Sequence, residues 1–220
     1  MDAATDWVVD SGRYALDFDF VNDYVSLGTS WIPLNTSSPF TYSAWVKITS
    51  FDTTRYCNVG AFRTNLGTFG FYISNAAAYL GLLMDSNNIA WGRWRNSVAA
   101  SVFLNSWRHC VWVYNGRGAT TSTNFFTYVD GTGYSVSQSG DAGSKFNENA
   151  IGFDGGSLGL TYMSGRIAES ILFDRAISGD EARQLYQIGR GGMLTPRRRR
   201  RAYFAGVSGL RRRLLLTGQV

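Results

Sequence analysis

An antiparallel two-sheet jelly-roll sandwich, all-β apart from one short C-terminal helix and a basic C-terminal arm, is what this sequence predicts. Three observations carry the prediction. Aromatic residues make up 15% of the chain and charged residues only 17%, with 25 Gly against 3 Pro. That composition suits short strands joined by tight turns. Apolar residues recur with period two in many short runs, as they do on a half-buried strand. The charge is unevenly divided: residues 1–189 hold 12 Lys+Arg and all 16 Asp+Glu, a net −4, whereas residues 190–220 hold nine Arg and no acid, a net +9. The sequence therefore divides into a body, 1–189, and an arm, 190–220. Gly189, Gly191 and Gly192 interrupt regular structure at the junction.

The 220 residues suffice to bury a core without disulfides or metals, and the apolar content argues against disorder of the whole chain. No apolar run reaches the ~18 residues that cross a bilayer. Met1 to Asp10 contain three Asp and no Lys or Arg, so no secretory signal is expected there. The two cysteines, Cys57 and Cys110, are too few for a disulfide framework or a CxxC-type zinc site and read as reduced thiols.

The elements follow in order. Leu16, Phe18 and Phe20 alternate with Asp17 and Asp19, which predicts a strand. Asn22-Asp23 is the next turn, and Tyr24, Val25 and Leu27 open a second strand. In 40–48, Phe40, Tyr42, Ala44, Val46 and Ile48 share one face and Trp45 the other, so both faces are expected to be covered. Further strands are predicted at 56–63, 68–74, 78–84, 88–94, 107–114, 123–129, 149–154 and 165–173. Gly, Asn, Asp and Ser clusters separate them. Asp130-Gly131 is the clearest hairpin turn. One helix is predicted at 179–188: Ser178 caps it, Glu181 completes a capping box, Ala182, Leu185 and Tyr186 form its apolar stripe, and Gly189 ends it.

Five segments in this order resemble the concanavalin A-like lectin/glucanase superfamily, in its LamG-like jelly-roll branch. They are Leu16–Val25 (LDFDFVNDYV), Phe40–Lys47 (FTYSAWVK), Trp107–Gly116 (WRHCVWVYNG), Tyr128–Gly131 (YVDG) and Gly165–Ser178 (GRIAESILFDRAIS). The resemblance spans roughly residues 12–188 and leaves out the arm. It implies a jelly roll that could bind glycan, catalyse, adhere or serve in a viral surface, so the site has to be argued separately.

Catalysis is not expected. Glucanases of this superfamily carry a Glu-x-Asp-x-(x)-Glu pattern on one strand, and Glu148, Glu169 and Glu181 do not form it. Glu169 and Asp174, five apart, would point to opposite faces of a strand. His109 is the single histidine, with no evident nucleophile beside it, and reads as structural. No cofactor is expected. Some relatives hold Ca²⁺, for which Asp19, Asn22, Asp23, Asp141 and Asp154 are weak candidates. Ala168 replaces the acid of the family's GxIDE segment, and loop Asp and Asn are ordinary turn formers.

Trp91, Arg93 and Trp94 are the candidate glycan contacts, since an exposed indole stacks on sugar faces; Trp45, Trp107 and Trp112 read as core. The arm offers Arg197, Arg198, Arg199, Arg200, Arg201, Arg211, Arg212 and Arg213 for assembly or anion contacts. Its apolar residues suggest that it docks, for instance by adding a strand to a neighbouring sheet. The leading expectation is a non-enzymatic structural or decoration protein of a phage-like particle (head decoration, fibre or tail), made in the host cytoplasm and anchored to other subunits by the arm. The alternatives are a carbohydrate-binding, lectin-like module and a polyanion- or nucleic-acid-binding protein.

Overall fold

The computed structural model describes residues 7–28, 38–51, 56–63, 67–74, 79–86, 89–96, 98–116, 124–139, 149–154, 161–194 and 214–215. In chain order its strands are β1 (Trp7–Asp10), β2 (Arg13–Asp19), β3 (Val25–Ser26), β4 (Phe40–Ile48), β5 (Tyr56–Arg63) and β6 (Gly67–Ser74). There follow β7 (Tyr79–Ser86), β8 (Ile89–Arg95), β9 (Arg108–Tyr114), β10 (Phe125–Val129), β11 (Thr132–Tyr134) and β12 (Ser137–Ser139). The last are β13 (Ala150–Ile151), β14 (Phe153–Asp154), β15 (Thr161–Tyr162), β16 (Ser164–Phe173) and β17 (Leu214–Leu215), and the helix α1 spans Gly179–Leu194.

Among the described residues the first sheet runs β1-β2-β16-β4-β9-β10-β11, with β17 also on β16. The second runs β12-β8-β7-β6-β5-β13-β3, and β14 pairs with β15. All strand pairs are antiparallel.

The alternation in β4 does what period two requires. Phe40, Tyr42, Ala44, Val46 and Ile48 all enter the core between the sheets, with Trp112 and Tyr114 of β9 beside them and Phe69, Phe71 and Ile73 of β6 opposite. Rings interlock across the layer: Phe40 meets Phe69 edge-on at 4.4 Å and Tyr42 stacks on Trp112 at 5.6 Å. Such pairs add roughly 0.5–1.5 kcal/mol each beyond their buried area. Cys57 and Cys110 are buried and form no disulfide.

Trp45 takes the opposite face of β4. There it packs with Ala15 and Ala168 and stacks on Tyr186 of α1 at 5.8 Å. Thus α1 covers the outer face of the first sheet. Its start is the reciprocal box read from the sequence: Glu181 N–H donates to Ser178 Oγ (3.2 Å), and Ser178 N–H donates to Glu181 Oε2 (2.8 Å). Arg175 also pairs with Glu181. Ser178→Ala should cost about 1 kcal/mol in urea denaturation. An unchanged midpoint would mean that Arg175 holds Glu181 without the cap.

Gly189 does not end the helix, which continues to Leu194. A Cβ at Gly189 would lie 2.3 Å from Trp45 Nε1. The Gly189 carbonyl accepts a 2.8 Å hydrogen bond from Arg13. Glycine is there for close packing against the indole, and the helix crosses the boundary drawn at Arg190.

Two hairpins close with paired left-handed residues, Ser11-Gly12 (φ 53° and 76°) and Asp130-Gly131 (51° and 77°). This is the twist-matched two-residue turn. The first creates β1, which the sequence reading did not anticipate. The predicted strand 149–154 divides at Gly152, whose φ is 82°. The arm's Leu214 and Leu215 pair with the chain's own β16.

Candidate functional site

The acidic residues are largely committed to structure. Glu169 lies in a bulge of β16, between Ala168 and Ile171, with φ 52°. That backbone turn brings Glu169 Oε1 to 2.9 Å from Arg13 Nη1. Arg13 is only 3% exposed and stacks over Trp45 at 3.7 Å. Glu181 is held at a pKa of about 2, first by the Arg175 hydrogen bonds and then by the Ser178 backbone. Asp10 also falls to about 2: burial opposes ionisation, but hydrogen bonds from Lys47 and Arg166 outweigh it. Glu148 lies outside the described residues. Each described glutamate thus faces a cation, Arg13 for Glu169 and Arg175 for Glu181.

The structure does bring a serine to the histidine. Ser43 Oγ is 2.9 Å from His109 Nε2, on neighbouring strands β4 and β9. The pair is buried: His109 is 2% exposed and stacks near Trp45 and Tyr186. His109 Nδ1 has no hydrogen-bond partner, so no carboxylate orients the ring. Burial, with the Arg13 charge nearby, pushes its pKa down to about 3. A nucleophile–base pair needs access to substrate and an oriented base. This pair has neither and knits β4 to β9.

The calcium candidates resolve in part. Asp19 Oδ1 accepts the backbone N–H groups of Val21 (2.8 Å) and Asn22 (3.4 Å), and Asp23 Oδ2 accepts that of Asp19 (3.1 Å). The Val21 N–H above all, against the opposing effect of burial and with help from the Asn22 bond, lowers the Asp19 pKa. Both carboxylates thereby shape the turn after β2. Asp141 and the Asp154 side chain lie outside the described residues. Among the described residues no group of three or more His, Cys, Asp or Glu is placed to hold a metal. Ala168, where the family has an acid, packs against Trp45.

Three tryptophans read as core divide by face. Trp112 is in the inter-sheet core, Trp45 lies beneath α1, and Trp107 is partly buried against the Trp45 cluster. The candidate contacts lie on β8, whose side chains are outside the described residues. The backbone register sets Trp94 opposite Leu82, which is itself opposite the core residue Phe71. Arg93 stands opposite Leu83, and the register of this ladder shifts beside Trp91, between the Gly92 and Ile89 pairs.

A second aromatic surface escaped the sequence reading. Trp7 opposes Leu16 and Val9 opposes Tyr14 across β1 and β2, so the four share a face. Leu16 packs on the core, but Tyr14 is 77% and Trp7 45% exposed. The only sequence signal was the short Trp-Val-Val run before Ser11-Gly12. Arg197 to Arg201 and Arg211 to Arg213 lie outside the described residues. No described helix is long and apolar enough to cross a membrane.

A laminin-G-type family model, described as the concanavalin A-like lectin/glucanases superfamily, matches residues 19–183. The chain belongs to this superfamily. Its fold is similar to a heptameric SAP-like pentraxin of Limulus polyphemus (12% identity, TM-score 0.50, covering 82% of this chain and 85% of that one). It is also similar to a Bacteroides ovatus protein described as carbohydrate-binding (19%, TM-score 0.53, 78% and 46%). A third is the receptor-binding domain of botulinum neurotoxin D (14%, TM-score 0.55, 81% and 44%). The chain spans less than half the length of the last two, and at these identities the likeness is one of fold. No curated protein sequence matches the chain.

Proposed function

We propose that the chain is a non-catalytic, lectin-like module that binds carbohydrate through exposed aromatic side chains. The observation that carries this reading is the exposed pair Trp7 and Tyr14 on adjacent strands of one sheet face. An aromatic ring stacks on the C–H face of a pyranose, and exposed rings of this size are otherwise costly to leave in water. Trp91, Arg93 and Trp94 of β8 form a second candidate contact. Support also comes from the fold likeness to the Bacteroides ovatus protein described as carbohydrate-binding. The commitment of Glu169, Glu181 and His109 to structural contacts favours binding over hydrolysis.

The test is a Trp-fluorescence titration with neutral, acidic and amino-sugar oligosaccharides. The parent should show a saturable response to one class. Tyr14→Ala, Trp7→Ala or Trp91→Ala should weaken it about tenfold, the loss of one stacked ring of ~1.4 kcal/mol. Lack of a response from the parent, or unchanged affinity in all three variants, would reject the reading.

A second reading is a structural subunit of a phage-like particle, present in the virion and displaying the sandwich. Its support is the arm strand β17 on β16, a device suited to anchoring subunits. Polyanion binding by the eight arginines between Arg197 and Arg213 is the third. It predicts affinity that falls steeply with salt.

A further inference from the structure

Strand β16 outruns its neighbour on one side. It pairs with β2 only from Ser164 to Ile167, while β4 follows it on the other side from Gly165 to Phe173. Past the bulge at Glu169 and Ser170, the edge facing β2 would present unpaired backbone groups, a template for another strand. Leu214 and Leu215 fill that edge antiparallel, Leu215 opposite Ile171 and Leu214 opposite Leu172.

We propose that this edge is a docking slot that accepts the Leu214–Leu215 segment of a second copy as well as the chain's own, so that copies assemble by exchanging arms. Three features support it. Among the described residues the ladder is two residues long, a weak hold that can release and re-form. The segment is joined to α1 through residues 195–213, nineteen residues. At most ~3.5 Å each, they can span up to ~65 Å, whereas a body of this size has a radius of gyration of ~16 Å. A neighbour's slot is therefore within reach. Finally, residues 195–220 carry eight Arg and no acid, while residues 1–194 carry 13 Lys+Arg and 16 Asp+Glu. The arm of one copy is attracted to the body of another. An identical segment serving the same slot in either chain is the low-cost route to assembly known as domain swapping.

Disulfide trapping on the full-length chain tests this directly. Cys57 and Cys110 are buried and will not compete. Full-length Ile171→Cys is mixed with full-length Leu215→Cys under mild oxidation, and the doubly substituted chain is oxidised alone at increasing concentration. Mass is read on non-reducing gels and by light scattering. The mixture should yield a cross-linked heterodimer at several times the level of either variant's own dimer. The double variant should shift from intramolecular to intermolecular bridges as concentration rises. A double variant that closes only within itself, with no heterodimer in the mixture, would overturn the exchange. Failure to form any 171–215 bridge would overturn the slot itself. Both outcomes are independent of whether the sandwich binds glycan.

Discussion

Gly165→Ala should destabilise the sandwich by roughly 3–5 kcal/mol, combining a strained backbone and an overpacked contact. Gly165, the second residue of β16, has φ 138°, a conformation that side-chain-bearing residues rarely adopt. A Cβ there would lie 2.1 Å from the Lys47 carbonyl oxygen and 2.9 Å from Ile48 Cα. Both neighbours are backbone in β4, where Ile48 is the register partner of Gly165 and Lys47 that of Arg166, so no rotamer change relieves the clash. The expected result is a large drop in the urea midpoint or loss of soluble protein. Ala at Gly28 is the control, because its Cβ would meet nothing within 4 Å although φ is 84°. Equal, small effects at both positions would show that the β4–β16 backbones yield, and would refute the argument.

Acid should unfold the protein from the His109 pocket first. In the folded chain its pKa is about 3, because burial and then the Arg13 charge disfavour the imidazolium; in the unfolded chain it returns to about 6.5. Between those values the unfolded state binds a proton that the folded state refuses. Stability therefore falls as pH is lowered through this window, at about 1.4 kcal/mol per pH unit. The surrounding groups offer no anion to offset this. Ser43 holds Nε2, Tyr186 and Trp45 present rings, Glu169 is engaged by Arg13, and Asp130 receives the His109 backbone N–H and Arg108. The Asp10 and Glu181 contributions run lower: their pKa values are depressed to about 2, so their stabilisation is lost as pH falls from about 4 towards 2. His109→Gln should lower stability at neutral pH, yet remove most of the slope between pH 6.5 and 4.5, where the parent loses about 2–3 kcal/mol. Parallel urea-midpoint profiles for parent and variant would disprove the assignment.

Much of the architecture was legible because it rests on local rules. The alternation from Phe40 to Ile48, the Asp130-Gly131 turn and the Ser178/Glu181 box each contain their own cause. Gly189 misled because a glycine after an apolar stripe normally ends a helix, and here the deciding contact is Trp45, far away in sequence. The same holds for Ser43 and His109, 66 residues apart and diagonal across two strands. The Glu169 bulge was hidden too, since a continuous β pattern shows no extra residue. Of the proposed contacts, the sequence singled out Trp91, Arg93 and Trp94 but passed over Tyr14. Its exposure depends on β1 and β2 forming a hairpin at the sheet edge, which no residue-type rule announces. The arm's apolar residues suggested a strand added to a neighbouring sheet; the two described arm residues instead pair with the chain's own β16.

The place of β16 in the first sheet has a consequence for biogenesis. It lies between β2 and β4, yet it is made after nearly everything else in the sandwich. On the ribosome, the β1–β2 hairpin and β4 emerge early and cannot be joined until Ser164–Phe173 follow, roughly 10 s later at ordinary elongation rates. During that interval the edges of β2 and β4 that β16 will pair with stand open. Closure is a long-range, high-contact-order event of the kind that makes folding slow. A nascent chain of this design is a natural client for chaperones that shield β edges until the central strand arrives.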